Sequence, residues 1–425
     1  MARAIWLSLI AACIALLAYL FSKPPRLSLP LHLEGNALRP FKNVVQIFRQ
    51  HIESGFLKGG AFVVYHKGKL VVDLHGGYAN LDRKLKWKPD TITCVHSVSK
   101  AMAALCLAIL VDRGHASYDN KISKYWPEFA ENGKDEITIR TLLAHKTGLV
   151  LLDEQIQFSD LIEPADKKRK ILARQKPQWT PGLKQGYQTL THGLYMDEII
   201  RRIDPKHRDI QTIIDQELAK PFGLDLMIGL TEQDYKRTSI PVWHDWTFLE
   251  MLMETPWKEV LHSLYTGEPS FGRKSVDIIK DFVKDQDKFE NNIIPWSSGS
   301  GAGTAKSLAK MISVLTTKGR LDDKRMLSES LVSEILQENL IVLDETLQID
   351  LAFGLGFMQM KFPKGGRIFG HLGFGGHYVF ADVENELAFA FTTNDVRLYS
   401  LGEDPRARSL IDGVYDSLEK MNAIK

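Results

Sequence analysis

Apolar positions change period several times along the chain, and each change predicts an element. Residues 41–56 place Val44, Ile47, Phe48 and Ile52 on one helical stripe, which Gly59-Gly60 ends. Residues 61–65 and 70–74 are short β-rich runs around His66-Lys67-Gly68-Lys69, the pattern of a hairpin. Residues 97–113 are apolar nearly all round, from Met102 through Val111, which predicts a helix without a solvent face. Helical spacings dominate from about 118 to 288 and are clearest over 191–203 and 209–218. Residues 304–317 are amphipathic, with Leu308, Met311, Ile312 and Leu315 inward. Strand-like runs return at 353–360, 377–382 and 387–393, before a last helix over 405–419. Strands at both ends and helices between predict an α+β fold. Its single antiparallel sheet is built from both ends of the chain, and a helical subdomain occupies about 118–288.

The first residues are a separate object. Ala4 to Ser22 carry no charge, follow Arg3 and precede Lys23, Pro24, Pro25 and Arg26. The run is about as long as a helix that crosses a bilayer. Residues 1–22 therefore read as a transmembrane helix, and the protein as membrane-anchored and single-pass. The alternative is a signal sequence cleaved from a secreted protein, but Leu20-Phe21-Ser22 supplies poorly the small residues such a cut needs. Basic residues at both ends leave the orientation open. A Pro-rich linker over 23–40 leads into one domain, 41–425.

With 425 residues, 44% hydrophobic and 25% charged, the composition is that of a globular protein. A net charge of +2 offers no basic field for phosphates, so no nucleic-acid partner is expected. The basic run Lys167, Lys168, Arg169, Lys170 reads as a solvated helix face, with contact to an anionic membrane surface as the second reading. Cys13, Cys94 and Cys106 build no disulfide framework, and His371 and His377 have no third ligand nearby in sequence, so no metal is expected. Residues 243–257 are dense in Trp, Met, Phe and Leu: core packing, or the lining of a site for an apolar substrate.

Ser97-Val98-Ser99-Lys100 is an S-x-x-K tetrad. Positions i and i+3 share a helix face, so the amine can reach the hydroxyl. A lysine held against apolar residues loses its charge more readily and becomes a base near neutrality. The helix N-terminus adds a favourable field and a backbone N–H for an oxyanion. Two other tetrads, Ser307 to Lys310 and Ser417 to Lys420, lie on amphipathic helices away from the apolar stripe and read as surface. Only Ser97 opens a helix apolar on every side.

With its neighbours, Cys94-Val95-His96-Ser97-Val98-Ser99-Lys100 resembles the nucleophile segment of the serine β-lactamase and penicillin-binding-protein superfamily. It looks closest to the class C-like esterases and the eukaryotic β-lactamase-related proteins. Further segments follow in the superfamily's order. Residues 141–149 resemble its LLxHTSGL segment, 186–193 the segment bearing its tyrosine, and 221–224 its PLGM turn. Residues 303–310 resemble its late helix, and 370–376 the strand that replaces K-T-G. The likeness spans roughly 41–420.

The resemblance implies a β-lactamase/transpeptidase-like fold, no cofactor, and a role for each matching residue. Ser97 would be the nucleophile and Lys100 its proton acceptor. Tyr187 would be a second base or proton relay, its phenol drawn toward ionisation by Lys100. His371 would stand where the superfamily often has the K-T-G lysine. Gly373 and Phe374 would shape the oxyanion hole, with the backbone N–H groups of Ser97 and Phe374 as donors. Two features depart from the pattern: Thr189 stands where the β-lactamases carry Asn, and the literal Lys146-Thr147-Gly148 lies in the early helical segment. His145 reads as structural, bonding a loop. A histidine with an ordinary pKa of about 6.5 would hold a substrate carboxylate weakly at neutral pH and better in acid. The expected reaction is acylation of Ser97 by a small-molecule ester or amide and then hydrolysis, more esterase than true β-lactamase. A serine peptidase of the same fold is one alternative. A catalytically idle scaffold or binding protein is another, from a different class.

Overall fold

A computed structural model describes residues 29–154, 156–162, 165–243, 274, 293–362, 364–397, 399 and 402–423. The expected transmembrane segment and all but Trp243 of the aromatic-rich stretch 243–257 lie outside the described residues. Among the described residues no helix is long and apolar enough to cross a membrane.

The chain enters a sheet earlier than its apolar pattern suggested. Strand β1 (Leu33–Ala37) lies inside the stretch read as linker and pairs antiparallel with a later strand, Leu33 opposite Gly76. It is an edge strand with mostly exposed side chains, so backbone pairing rather than apolar alternation holds it. Helix α1 (Lys42–Glu53) buries Val44 and Phe48 as its stripe predicts. The hairpin forms between β2 (Gly59–His66) and β3 (Lys69–Asn80). Lys67 and Gly68 between them have φ of 53° and 72°, the left-handed pair that matches strand twist in a two-residue turn.

Strand β4 (Thr93–His96) runs into helix α2 (Val98–Asp112), in which every residue from Val98 to Leu110 is buried. Helix α3 (Thr191–Ile203) has the predicted limits. The helix expected over 209–218 begins as α over Ile210–Ile213 and continues as a π-helix over Ile214–Ala219. Short strands β5 (Leu226–Ile228), β6 (Val242–Trp243) and β7 (Gly301–Gly303) precede helix α4 (Ala305–Ile312). The C-terminal part adds β8 (Val342–Leu343), β9 (Asp350–Phe353), β10 (Met358–Lys361), β11 (Arg367–Gly373), β12 (His377–Asp382), β13 (Leu387–Thr393) and β14 (Asp395–Val396). Helix α5 (Pro405–Ala423) follows. The single strand expected over 353–360 is two, β9 and β10, because Gly354-Leu355-Gly356 turns the chain back, with Gly356 at φ 84°.

The main sheet has the order β1-β3-β2-β13-β12-β11-β10-β9-β8, so both ends of the chain build it, and its pairings are antiparallel. Ala61, Val63 and Tyr65 of β2 face one core, while Phe62 and Val64 face the other. Burial on both faces is why this strand reads as an unbroken apolar run. Helices α1 and α5 cover one face of the sheet. Helices α2 and α4 and the helical region cover the other, which leaves α2 enclosed all round.

The two other S-x-x-K serines are not surface residues, contrary to expectation. Ser307 Oγ accepts from the Asp225 N–H at 2.8 Å, and the single Ser417 hydroxyl proton lies between two acceptors, Asn43 Oδ1 at 2.7 Å and Gly413 O at 2.8 Å. A bonded hydroxyl is small enough to be buried where a helix meets its neighbours, and both are buried here.

Candidate active site

The site is built where β4 becomes α2. His96 ends the strand with φ 48°, a left-handed conformation uncommon outside glycine. That kink turns Ser97 out as the only partly exposed residue of 91–100. The Ser99 hydroxyl donates to His96 O and accepts from the Gly301 N–H at 2.8 Å, which fastens the turn to β7. Strands β4, β7 and β5 form a small antiparallel sheet beneath it.

Lys100 is 1% exposed. Its Nζ lies 3.1 Å from Ser97 Oγ, 2.8 Å from Thr189 O and 3.2 Å from Ser298 O. No carboxylate is among these partners, and burial pushes the amine well below the usual lysine pKa. A neutral amine has two N–H groups and one lone pair. The two carbonyls accept the two hydrogens, and the remaining direction faces Ser97. This geometry suits the amine to take the Ser97 proton.

Tyr187 is buried, hydrogen-bonds Ser97 through its hydroxyl, and carries Lys100 Nζ 5.0 Å from its ring centre. Its phenol is not drawn toward ionisation as expected. Burial raises its pKa above the ordinary value, and the bond to Ser97 only partly opposes this. Lys100, itself driven toward the neutral form, has little charge to lend. Tyr187 is therefore a neutral phenol that can pass a proton on, not a phenolate base.

A residue without any local sequence signal holds Tyr187. Asp344 Oδ1 accepts the N–H groups of Tyr187, Thr346 and Leu347, each at 3.0 Å, and Asp344 Oδ2 accepts from Gln185 Nε2 at 3.2 Å. His145 braces the same loop, as expected: its Nδ1 accepts from the Gln188 N–H at 3.1 Å, and its ring lies 4.9 Å from that of Tyr187.

His371 lies on β11 with its ring centre 5.9 Å from that of Tyr187. Its Nδ1 is 2.6 Å from Leu372 O, and a carbonyl only accepts, so Nδ1 carries the proton. Nε2 and Thr189 Oγ1 are both buried, and neither has a hydrogen-bond partner among the described residues. Burial holds the His371 pKa down at about 3. The expected gain of charge in mild acid is thereby corrected: the ring stays neutral from pH 8 to well below 5.

Gly373, at the end of β11, lies against the nucleophile strand. A Cβ there would sit 2.3 Å from Val95 O, so only hydrogen fits. The Phe374 ring meets those of His96 and Trp243 edge-on, at 5.7 Å and 6.3 Å. Ser97, Lys100, Tyr187, His371 and the Gly373-Phe374 turn thus gather from three stretches of chain. The carbonyls of Thr189 and Ser298 and the carboxylate of Asp344 are the members that the sequence did not point to.

Residues 44–412 match the family described as Beta-lactamase. Esterase/beta-lactamase LipL of Mycobacterium tuberculosis is 29% identical over 366 residues, which are 85% of this chain and 82% of that protein. Among solved structures, a family VIII carboxylesterase superposes with a TM-score of 0.77 at 26% identity. A penicillin-binding protein homolog from Caulobacter crescentus superposes with a TM-score of 0.74 at 29% identity. Each of these two matches covers 91% of this chain and 99% of the other.

Proposed function

The chain belongs to the beta-lactamase family, and from that premise we propose a residue-level reading: a serine hydrolase of the esterase type with Ser97 as its acylated nucleophile. The observation that carries it is the 3.1 Å contact of a buried, carboxylate-free Lys100 amine with the one partly exposed serine of the segment.

Lys100 takes the Ser97 proton as Oγ bonds to the acyl carbon. The N–H groups of Ser97 and Phe374 receive the negative charge that develops on the carbonyl oxygen. The tetrahedral adduct then expels the alcohol, and the proton held by Lys100 reaches the leaving oxygen through the Tyr187 hydroxyl. Water repeats the sequence on the acyl-enzyme and releases the acid, restoring Ser97. The residues need no metal or organic cofactor for these steps. The relatives named above do not favour the peptidase or idle-scaffold readings.

The preference for esters over lactams rests on two residues. His371 is uncharged and Thr189 is turned inward, so neither a cation for a substrate carboxylate nor a side-chain amide is offered at their positions. The expected result is a higher kcat/KM for a neutral short-chain ester than for a chromogenic cephalosporin at every pH from 5.5 to 8. The ratio should stay flat, because a group of pKa about 3 does not titrate in that window. Faster cleavage of the cephalosporin at pH 8 would refute the ester preference. A ratio swinging toward the cephalosporin in acid would show a charged His371.

Residues 1–22 are proposed as a single-pass anchor, with cleavage as a signal sequence the competing outcome. Deletion of 1–22 leaves β1 whole from Leu33, whereas a cut at 40 would strip the sheet edge. The shortened chain is expected in the soluble fraction, still reactive at Ser97, and the full chain should resist alkaline carbonate extraction. Recovery from cells of a chain lacking its first twenty-odd residues would refute the anchor.

A further inference from the structure

A buried ion network lies behind the turn that carries Phe374. Arg406, at the start of α5, is fully buried, as are its partners Asp395 and Asp404. Its guanidinium grips Asp404 with two prongs, Nε to Oδ1 at 3.0 Å and Nη2 to Oδ2 at 2.5 Å. Nη1 donates to Asp395 O at 2.7 Å and lies 3.4 Å from Asp395 Oδ2, and Nη2 donates to Gly375 O at 3.4 Å. The Asp404 N–H donates to the Tyr378 hydroxyl at 3.0 Å, which ties the network to β12 on the far side of the same turn.

The turn is held from three directions. Gly373 abuts Val95 O, and a Cβ at Gly375 would lie 3.5 Å from Val396 Cγ1. Gly376, at φ 104°, leaves a Cβ only 2.4 Å from Asp404 Oδ2 and 2.6 Å from Arg406 Nη2. At Gly373 and Gly376 the backbone meets its neighbour with no room for a side chain, and Gly375 lies in ordinary van der Waals contact, so the path of residues 373–376 follows what presses on it. A buried ion pair adds little net stability over apolar packing of similar volume, so stability alone is a poor reason for this one. Its geometry supplies a better reason: the Asp404 carboxylate, just before α5, holds the guanidinium as a fixed donor to the Gly375 carbonyl, one residue from the Phe374 N–H.

We propose that Arg406, locked to Asp404, is a positioning residue that sets the Gly373–Gly376 turn and so aims the Phe374 N–H at the acyl oxygen over Ser97. It touches no substrate. The inference rests on the roles given to Ser97 and Phe374 above. An oxyanion donor acts only when held about 3 Å from where the charge develops, so a small displacement of the turn removes much of its effect on the transition state while leaving substrate binding nearly unchanged.

The test uses the full chain with Arg406→Lys, which keeps the charge and loses the fork, and with Asp404→Asn, which keeps the shape and loses the charge. Active sites are counted by fluorophosphonate labelling before ester turnover is measured. An alkylboronic acid provides the second readout: its boron bonds to Ser97 Oγ, the serine proton passes to Lys100, and the adduct carries negative charge as the transition state does. Both variants are expected to lose about ten- to a hundredfold in kcat per titrated site, with KM within about threefold of wild type. Boronic acid affinity should fall by a similar factor. A purely structural Arg406 would lower the thermal midpoint and the fraction of active sites, yet leave kcat per site and boronate affinity within about twofold. That result overturns the proposal, and so does failure of both variants to fold, which would assign the pair to the fold. A wild-type chain without Ser97-dependent turnover overturns the functional reading and this inference with it, before any variant is compared.

Discussion

Ser97→Ala is expected to abolish labelling of the full chain by a fluorophosphonate probe, and ester turnover with it, while Ser307→Ala and Ser417→Ala leave both intact. The three serines share a sequence pattern and differ in surroundings. Ser97 is partly exposed, with the Lys100 amine 3.1 Å from its oxygen. Ser307 Oγ is taken up by the Asp225 N–H, and Ser417 by Asn43 and Gly413, all within buried structure. Loss of the nucleophile from a serine hydrolase removes on the order of a millionfold in kcat, so residual turnover should fall to background. Labelling that survives in the Ser97 variant would sink the assignment.

Loss of the proton-handling groups comes next in size. Lys100→Met keeps the length of the side chain and removes the amine. Tyr187→Phe keeps the ring, stacked 5.6 Å from Phe353, and removes the hydroxyl. Each should slow acyl transfer by about two to four orders of magnitude, the usual worth of general acid–base help. The pH dependence gives the sign. Only unprotonated Lys100 accepts the Ser97 proton, so kcat/KM should rise with pH through the lysine's pKa and then level. Burial moves that rise below the ordinary lysine range. Lys100→Met should abolish the rising limb as well as lower the rate, which separates a lost base from a disturbed fold. Near-normal turnover in either variant, with the limb unchanged, would show the role to be wrong.

What could be read from the chain alone was whatever depends on near neighbours. Helix α2 is apolar on every side, and such a helix can only be enclosed. The β2–β3 hairpin follows from two apolar runs around Lys67-Gly68. Ser97 and Lys100 meet because residues three apart share a helix face, whatever the rest of the fold does. The α+β architecture followed from where the strand and helix periods fell.

Tertiary structure decided the rest, for reasons no window of sequence contains. Strand β1 has no apolar alternation, and only its pairing with β3 makes it a strand. The periodic stripe of their helices predicts Ser307 and Ser417 to be exposed, yet neighbours remote in sequence bury them. Asp344 holds the Tyr187 loop from 157 positions away, and the carbonyls of Thr189 and Ser298 orient Lys100 from 89 and 198 positions away. Protonation states belong to this second class. Residue type and one neighbour predict ordinary titration for His371 and ion-driven titration for Tyr187. Both instead stay neutral, because burial penalises a charge more strongly than any single partner near them favours it. Side-chain identity sets which proton a group can exchange, and packing by distant segments sets whether it does so at neutral pH.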